Sequence, residues 1–101
     1  MKKIVLTAAL AVLASAPAFA DQALAQKKNC LVCHSVDKKV VGPAYKEVAA
    51  KYKGDASAVA KLTTKVLKGG SGVWGNSPMP ANTQVNEAEA KQLVTWILSL
   101  K

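Results

Sequence analysis

The chain contains the run Cys30-Leu31-Val32-Cys33-His34, in which two cysteines three positions apart are followed directly by a histidine. On a helical turn, residues i, i+3 and i+4 lie on one face, so Cys30, Cys33 and His34 can all reach one bound group. The pattern is typical of covalent haem c attachment, in which each thiol forms a thioether with one vinyl group. The His34 ring can then lie under the iron, and its second nitrogen needs a hydrogen bond that fixes the ring.

The remaining residues supply a candidate for the second iron ligand. His34 is the only histidine, and Met79 is the only methionine after Met1. Pro78 and Pro80 flank Met79, keep that segment extended and offer no backbone N–H of their own. The sequence therefore predicts Met79 as the second axial ligand. A thioether is a soft ligand that favours ferrous iron and raises the reduction potential, and an iron with two protein ligands transfers electrons well but binds substrates poorly.

Other interpretations of the motif stay open. A Cys-x-x-Cys pair can be a disulfide or a thiol-redox pair, although no strand–helix–strand pattern surrounds it. A zinc site is a further alternative, but Cys30, Cys33 and His34 supply three ligands where zinc takes four. If Met79 did not hold the iron, the protein would be a weak peroxidase or a ligand sensor. A haem subunit of a larger dehydrogenase or oxidase is also compatible with the motif.

The first 20 residues have the pattern of a secretory signal peptide. Lys2 and Lys3 precede an apolar run at 4–14, and Ala18-Phe19-Ala20 offers small residues where a signal peptidase cuts. We therefore expect cleavage after Ala20 and a single periplasmic domain at 21–101. The apolar run of 11 residues is short of the roughly 20 that span a membrane, so no stable membrane insertion is expected. An uncleaved anchor is the alternative.

Composition narrows the function classes. The chain has 14 basic residues, all lysine, against six acidic residues, for a net charge of +8. Arginine makes the bidentate contacts to bases and phosphates, and this chain has none. Nucleic acid is therefore not expected as a partner. Two cysteines are too few for a disulfide scaffold. Residues 21–101 contain only four aromatic side chains, so a large apolar cofactor would complete a thin core.

Helical patterns dominate residues 21–101, and we expect helices at 22–29, 44–52, 57–68 and 86–101. Ser57 is expected to cap the third helix, whose polar face carries Lys61, Lys65 and Lys68, and Gly69-Gly70 to end it. Asn86 and Glu89 predict a capping box at the last helix. No stretch alternates for long enough to form a strand. The predicted fold class is all-α, with about four helices around one haem.

The chain resembles small bacterial class I cytochromes c of the c-551/c-552 type, also called cytochrome c8. The resemblance rests on five strings in the family's order: Cys-Leu-Val-Cys-His at 30–34, Val-Gly-Pro-Ala-Tyr at 41–45, Gly-Ser-Gly-Val-Trp-Gly at 70–75, Pro-Met-Pro at 78–80 and Glu-Ala-Lys-Gln-Leu-Val-Thr-Trp-Ile-Leu at 89–98. It implies the class I cytochrome c fold, one covalently bound haem c, and a carrier of single electrons that is not an enzyme.

The resemblance also implies roles for individual residues. The backbone carbonyl of Pro43 would accept a hydrogen bond from the His34 ring, and Trp74 would hydrogen-bond a haem propionate. Asn82 would lie near the Met79 ligand and affect its orientation. The sequence departs from the family's pattern at Ala81, where a second proline is frequent.

By resemblance, the partners are respiratory or denitrification redox proteins with acidic docking surfaces. The candidate acceptors are a nitrite reductase, a terminal oxidase and a cytochrome c peroxidase, and an upstream cytochrome is the candidate donor. We expect a monomer that docks through an exposed haem edge near Cys30, Cys33 and the 78–81 segment. The candidate lysines around that edge are Lys27, Lys28, Lys38 and Lys39, which would steer the carrier towards acidic partners.

Overall fold

The computed structural model describes residues 18–101, with side chains from Asp21 onward, and most of the predicted signal peptide lies outside these residues. The described chain forms four α-helices and a short 3₁₀ turn at Cys30–Val32: α1 Ala18–Lys27, α2 Tyr45–Lys51, α3 Ala58–Lys68 and α4 Glu87–Ser99. Within 18–101 the backbone pairs in β fashion only at two isolated bridges, so the all-α prediction is confirmed.

Helix α1 begins and ends earlier than predicted. It starts at Ala18, inside the predicted signal peptide, and ends at Lys27 rather than at 29. The helix ends there because Asn29 adopts a left-handed conformation with φ 65°. Asparagine tolerates this region better than most residues. The turn at Asn29 directs the chain into the 3₁₀ turn that carries Cys30.

Helix α3 is capped differently from the prediction. The Ser57 side chain makes no capping bond to the helix. Instead, its Oγ donates to Asp55 Oδ1 at 2.6 Å, and its backbone N–H donates to the same oxygen at 2.8 Å. Asp55 therefore organises the turn before α3, because a short carboxylate can accept bonds from residues two positions ahead. The predicted stop is present, since Gly69 follows Lys68 with φ 77°.

Helix α4 is the element on which the other helices pack. Its Leu93 and Val94 are the largest fully buried side chains, and Trp96 and Ile97 extend the same apolar stripe. Helices α1, α2 and α3 all contact α4. This packing is expected for a helix with apolar residues at i, i+3, i+4 and i+7. It leaves one side of the core, between α3 and the 30–34 segment, to form the candidate site.

Among the helices within 18–101, none is both long enough and apolar enough to cross a bilayer.

Candidate haem site

The His34 ring is held in one orientation by its neighbours. Its Nδ1 lies 2.8 Å from the carbonyl oxygen of Pro43. A carbonyl can only accept, so Nδ1 carries the proton, and in the neutral ring Nε2 then keeps its lone pair. A neutral imidazole in this tautomer can bind a metal through Nε2. The ring also stacks on Tyr45, with 4.9 Å between the ring centres and 23° between the planes.

The backbone between His34 and Tyr45 places the Pro43 carbonyl. The N–H groups of Val41 and Gly42 both donate to the carbonyl of Cys33, at 3.1 and 2.7 Å. Gly42 lies directly against the imidazole, and a Cβ at this position would overlap the His34 ring. The loop therefore folds tightly around the histidine, and only a residue without a side chain fits there.

Met79 is held at its backbone on the other side of the site. Met79 N–H donates to the Gly70 carbonyl at 2.7 Å, and Gly70 N–H donates to the Met79 carbonyl at 3.0 Å. Downstream, Asn82 donates to the Val66 carbonyl through both its backbone N–H, at 3.1 Å, and its side-chain Nδ2, at 2.9 Å. Asn82 Nδ2 also approaches the Pro80 carbonyl at 3.4 Å. The segment around Met79 is thus anchored to the last turn of α3 and to the glycine turn that follows it.

An apolar crevice lies between the 30–34 segment, α3 and the Met79 segment. It consists of two neighbouring cavities of about 60 and 70 Å³, which share Leu62, Lys65 and Met79. Cys30 and Tyr45 line the first cavity, as do Val48, Val66, Leu93, Val94 and Ile97. The crevice therefore brings a cysteine of the motif and Met79 to one apolar space.

Trp74 and Lys65 line the crevice on the side of the glycine-rich loop. Trp74 belongs to the second cavity, as does Pro43, and its ring is 37% exposed. The ammonium of Lys51 lies 5.4 Å from the Trp74 ring centre, within range of a cation–π contact. Lys65 corrects the sequence interpretation: it is half-buried and lines both cavities, whereas Lys61 and Lys68 are exposed.

The two cysteines are available for covalent chemistry. Cys30 and Cys33 are not joined by a disulfide. Burial raises the pKa of the Cys30 thiol, with a partly opposing contribution from Tyr45. Burial also raises the pKa of Tyr45, and the neighbouring Cys30 adds to this. Both groups are therefore neutral at pH 7.

The donor set fits haem c. It comprises two unbonded thiols three residues apart, an imidazole with an available Nε2, a thioether and apolar walls. It fits zinc poorly, because no three side chains from His, Cys, Asp and Glu gather as a metal site in the part of the chain that the structure describes.

Sequence reasoning did not assign functional roles to Gly42, Tyr45 or Lys65. Gly42 and Tyr45 stand in the Val-Gly-Pro-Ala-Tyr string at 41–45, but nothing local in that string shows that both contact His34. Lys65 shares the spacing of the exposed lysines of α3. A lysine stem packs well along apolar surface, so its type alone does not reveal burial.

Known proteins share this arrangement of sequence and fold. Residues 21–101 match the Cytochrome c family. Cytochrome c-551 of Allochromatium vinosum is 60% identical over 83 residues, which cover 82% of this chain and 88% of that protein. Cytochrome c-552 of Hydrogenobacter thermophilus is 50% identical over 101 residues and covers the full length of both chains.

Structural similarity agrees with these sequence matches. The crystal structure of wild-type Nitrosomonas europaea cytochrome c552 superposes with a TM-score of 0.77 at 52% identity, covering 79% of this chain and 99% of that one. The chain therefore belongs to the cytochrome c family, and it is a small electron-transfer protein with one covalently attached haem c, not an enzyme.

Proposed function

We propose that this chain is a periplasmic carrier of single electrons whose haem iron is held by His34 and Met79. Thioethers from Cys30 and Cys33 would attach the haem. The observation that carries the proposal is the 2.8 Å contact between His34 Nδ1 and the Pro43 carbonyl. It leaves the other ring nitrogen for iron and fixes the imidazole plane.

The bound haem supplies an iron that can gain and lose one electron. The task of the protein is to keep both axial positions filled, so that little rearrangement accompanies the change of charge. His34 is held by Pro43, Gly42 and Tyr45, and the Met79 backbone by the Gly70 bridge. The apolar crevice excludes water and so favours the less charged, reduced state.

Trp74 and Asn82 have supporting roles in this proposal. Trp74 lines the crevice on a partly exposed loop, from which its indole N–H can reach a propionate at the haem edge. Asn82 lies three residues after Met79 and donates to the Val66 carbonyl. It therefore sets the path of the chain that follows the ligand. These assignments rest on the family resemblance together with the positions described above.

The docking surface is proposed around Cys33. Three valines there are half-exposed or more: Val32 at 69%, Val40 at 53% and Val41 at 51%. Lys38 and Lys39 are exposed beside them. Lys28 does not belong to this surface, because it is paired with Glu89 and its side chain is only 19% exposed. A small apolar patch with a basic rim suits the brief contacts of electron transfer.

The periplasmic location is proposed from the leader pattern. Lys2, Lys3, the apolar run at 4–14 and the Ala18-Phe19-Ala20 string favour export and cleavage after Ala20. Haem attachment to Cys30 and Cys33 would then take place after export. The N-terminal sequence of the protein recovered from the periplasm tests this proposal, and an N-terminus at Asp21 is expected.

The absorption spectrum of the haem-loaded protein tests the axial ligands. A low-spin spectrum with a ferric band from thioether ligation is expected, with no response of the reduced protein to carbon monoxide. Met79→Ala should abolish that band and admit carbon monoxide. A high-spin or carbon-monoxide-sensitive spectrum of the unaltered protein would mean an open iron, and hence a peroxidase or ligand sensor.

A further inference from the structure

Lys28 and Gln84 bind each other through two reciprocal hydrogen bonds. Gln84 Nε2 donates to the backbone carbonyl of Lys28 at 2.7 Å, and Lys28 Nζ donates to the backbone carbonyl of Gln84 at 3.1 Å. The two residues are 56 positions apart in the sequence. Each side chain thus satisfies a backbone carbonyl of the other segment, and the pair joins two segments that otherwise follow separate paths.

The pair is the centre of a larger polar network. Lys28 Nζ also lies 3.2 Å from Glu89 Oε2, and both side chains are largely covered, with 19% and 26% exposed. Gln84 Nε2 approaches Asn82 Oδ1 at 3.2 Å. Asn82 in turn donates to the carbonyl of Val66. The network therefore connects the end of α1, the loop after Met79, the start of α4 and the end of α3.

The two joined segments both lead to proposed haem contacts. Lys28 lies two residues before Cys30, and Gln84 lies five residues after Met79. The loop at 80–85 belongs to no helix or strand. Ala81 in this loop does not restrict its own φ as a proline would. The path of this loop depends on the bonds made by Asn82 and Gln84 and on the buried Val85 side chain.

We propose that the Lys28–Gln84 pair is a latch that positions Met79. It holds the segment that precedes Cys30 against the segment that follows Met79. In this way it limits how readily Met79 would depart from the iron. The inference rests on the proposed axial role of Met79. Gln84 and Lys28 touch neither the reacting atoms nor the iron, and both act as positioning residues.

The chain offers a matched control for this latch. Gln92 Nε2 donates to Asp21 Oδ1 at 2.8 Å, so a second glutamine also ties α1 to another part of the fold. This bond joins α1 directly to α4, and neither residue borders the Met79 segment or the crevice. Loss of Gln92 should therefore weaken the fold without changing the hold on Met79.

The test compares Gln84→Ala and Gln92→Ala in the haem-loaded full chain. The readout is the rate at which ferric protein binds cyanide or imidazole, which requires Met79 to leave. We expect Gln84→Ala to bind about tenfold faster, the scale of one lost hydrogen bond, and Gln92→Ala to stay within about twofold of the unaltered protein. The midpoint temperature of thermal unfolding should be lowered in both variants. A loss of stability alone would then not explain a difference between their cyanide-binding rates.

Lys28→Met provides a second, independent variant. It removes Nζ, and with it the bond to the Gln84 carbonyl and the ion pair with Glu89. It keeps the Lys28 carbonyl that Gln84 binds at 2.7 Å, so we expect a smaller acceleration than for Gln84→Ala. The two changes should be non-additive in the double variant, because they act on one pair. If Gln84→Ala does not fold, the rate of cyanide binding to Lys28→Met is compared with that of Gln92→Ala instead. Equal rates would overturn the latch.

Two outcomes distinguish failure of the latch from failure of the proposed axial role of Met79. Equal cyanide rates for Gln84→Ala and Gln92→Ala, with a normal thioether band in the unaltered protein, would overturn the latch alone. Absence of that band from the unaltered protein would overturn the axial role of Met79 and the latch with it.

Discussion

Gly42 is a residue at which the structure allows little change. The His34 imidazole occupies the space where a side chain would begin, so a Cβ there would overlap the ring. The same residue donates its N–H to the Cys33 carbonyl at 2.7 Å, so the backbone cannot easily retreat. The position of the proposed axial ligand thus depends on the absence of one carbon atom.

We expect Gly42→Ala to displace the His34 ring and break its contact with Pro43. Crowding of this kind costs about 1–3 kcal/mol, and haem loading should fall several-fold. Absorbance per polypeptide and the thermal midpoint check both effects. Gly54→Ala is the control, because Gly54 has a positive φ but nothing near its Cβ position. Similar spectra for the two variants would show that Gly42 does not position His34.

At the scale of elements, α4 begins with a complete capping box. Glu89 N–H donates to Asn86 Oδ1 at 2.8 Å, and Asn86 N–H donates to Glu89 Oε1 at 3.1 Å. The same carboxylate pairs with Lys28 through its other oxygen. One side chain therefore starts the central helix and also holds the end of α1. A change at Glu89 should thus affect both α4 and the end of α1.

The pH dependence of stability should reveal this double role. The Asn86 N–H, followed by Lys28, holds the pKa of Glu89 below its ordinary value. A carboxyl with a lowered folded-state pKa stabilises the fold above its unfolded pKa of about 4.3, and that contribution is lost as the pH falls through the folded value. We therefore expect Glu89→Gln to destabilise the protein at pH 7 and to flatten the acid side of its stability profile.

Urea unfolding between pH 3 and pH 7 measures this effect. Asp55→Asn is a useful comparison, because the Ser57 hydroxyl and N–H, and more weakly Lys61, also lower the pKa of Asp55. Asp55 acts at the turn before α3 and on Lys61 of that helix. If both variants retained the full acid dependence of the unaltered protein, neither carboxyl would contribute to it.

At the scale of the whole molecule, the fold has a small protein core. Apart from Leu93, Trp96, Ile97 and Tyr45, the buried apolar residues are alanines and valines. Helix α4 organises them on one side, and the crevice interrupts them on the other. A large apolar cofactor would fill that gap, which is why so few aromatic residues suffice.

Residues 21–101 carry 12 lysines and six acidic residues, a net charge of +6, and this charge should act over the whole molecule. Electron transfer to an acidic partner is expected to slow as ionic strength rises, because screening weakens the steering of opposite charges. Lys38→Glu with Lys39→Glu should lower the association rate several-fold. Lys38→Glu alone should lower the rate more than Lys91→Glu on α4, which changes the net charge by the same amount and is the matched control. A rate independent of salt, measured by stopped flow, would argue against electrostatic steering.

Local features of this protein could be predicted well. The Cys30–His34 spacing, the Asn86–Glu89 capping box and the Gly69 stop each depend on residues within four positions of one another. Interactions of this range follow from backbone geometry alone. The cofactor, the fold class and α4 were accordingly predicted, whereas the roles of His34, Met79, Pro43, Trp74 and Asn82 stay predictions.

Features that join distant segments could not be obtained in this way. The spacing of Lys65 in the sequence groups it with the exposed lysines of α3, yet its side chain lines the crevice. The position of the Met79 segment decides which side of α3 is covered. Lys28 has the sequence character of a docking lysine, but Gln84 and Glu89, more than 50 residues later, engage it. The amino-acid sequence alone thus determined the chemistry of the attachment motif and the helices. Tertiary packing determined which lysines are bound and which remain at the surface, because a side chain's partners are set by segments that meet only in the folded chain.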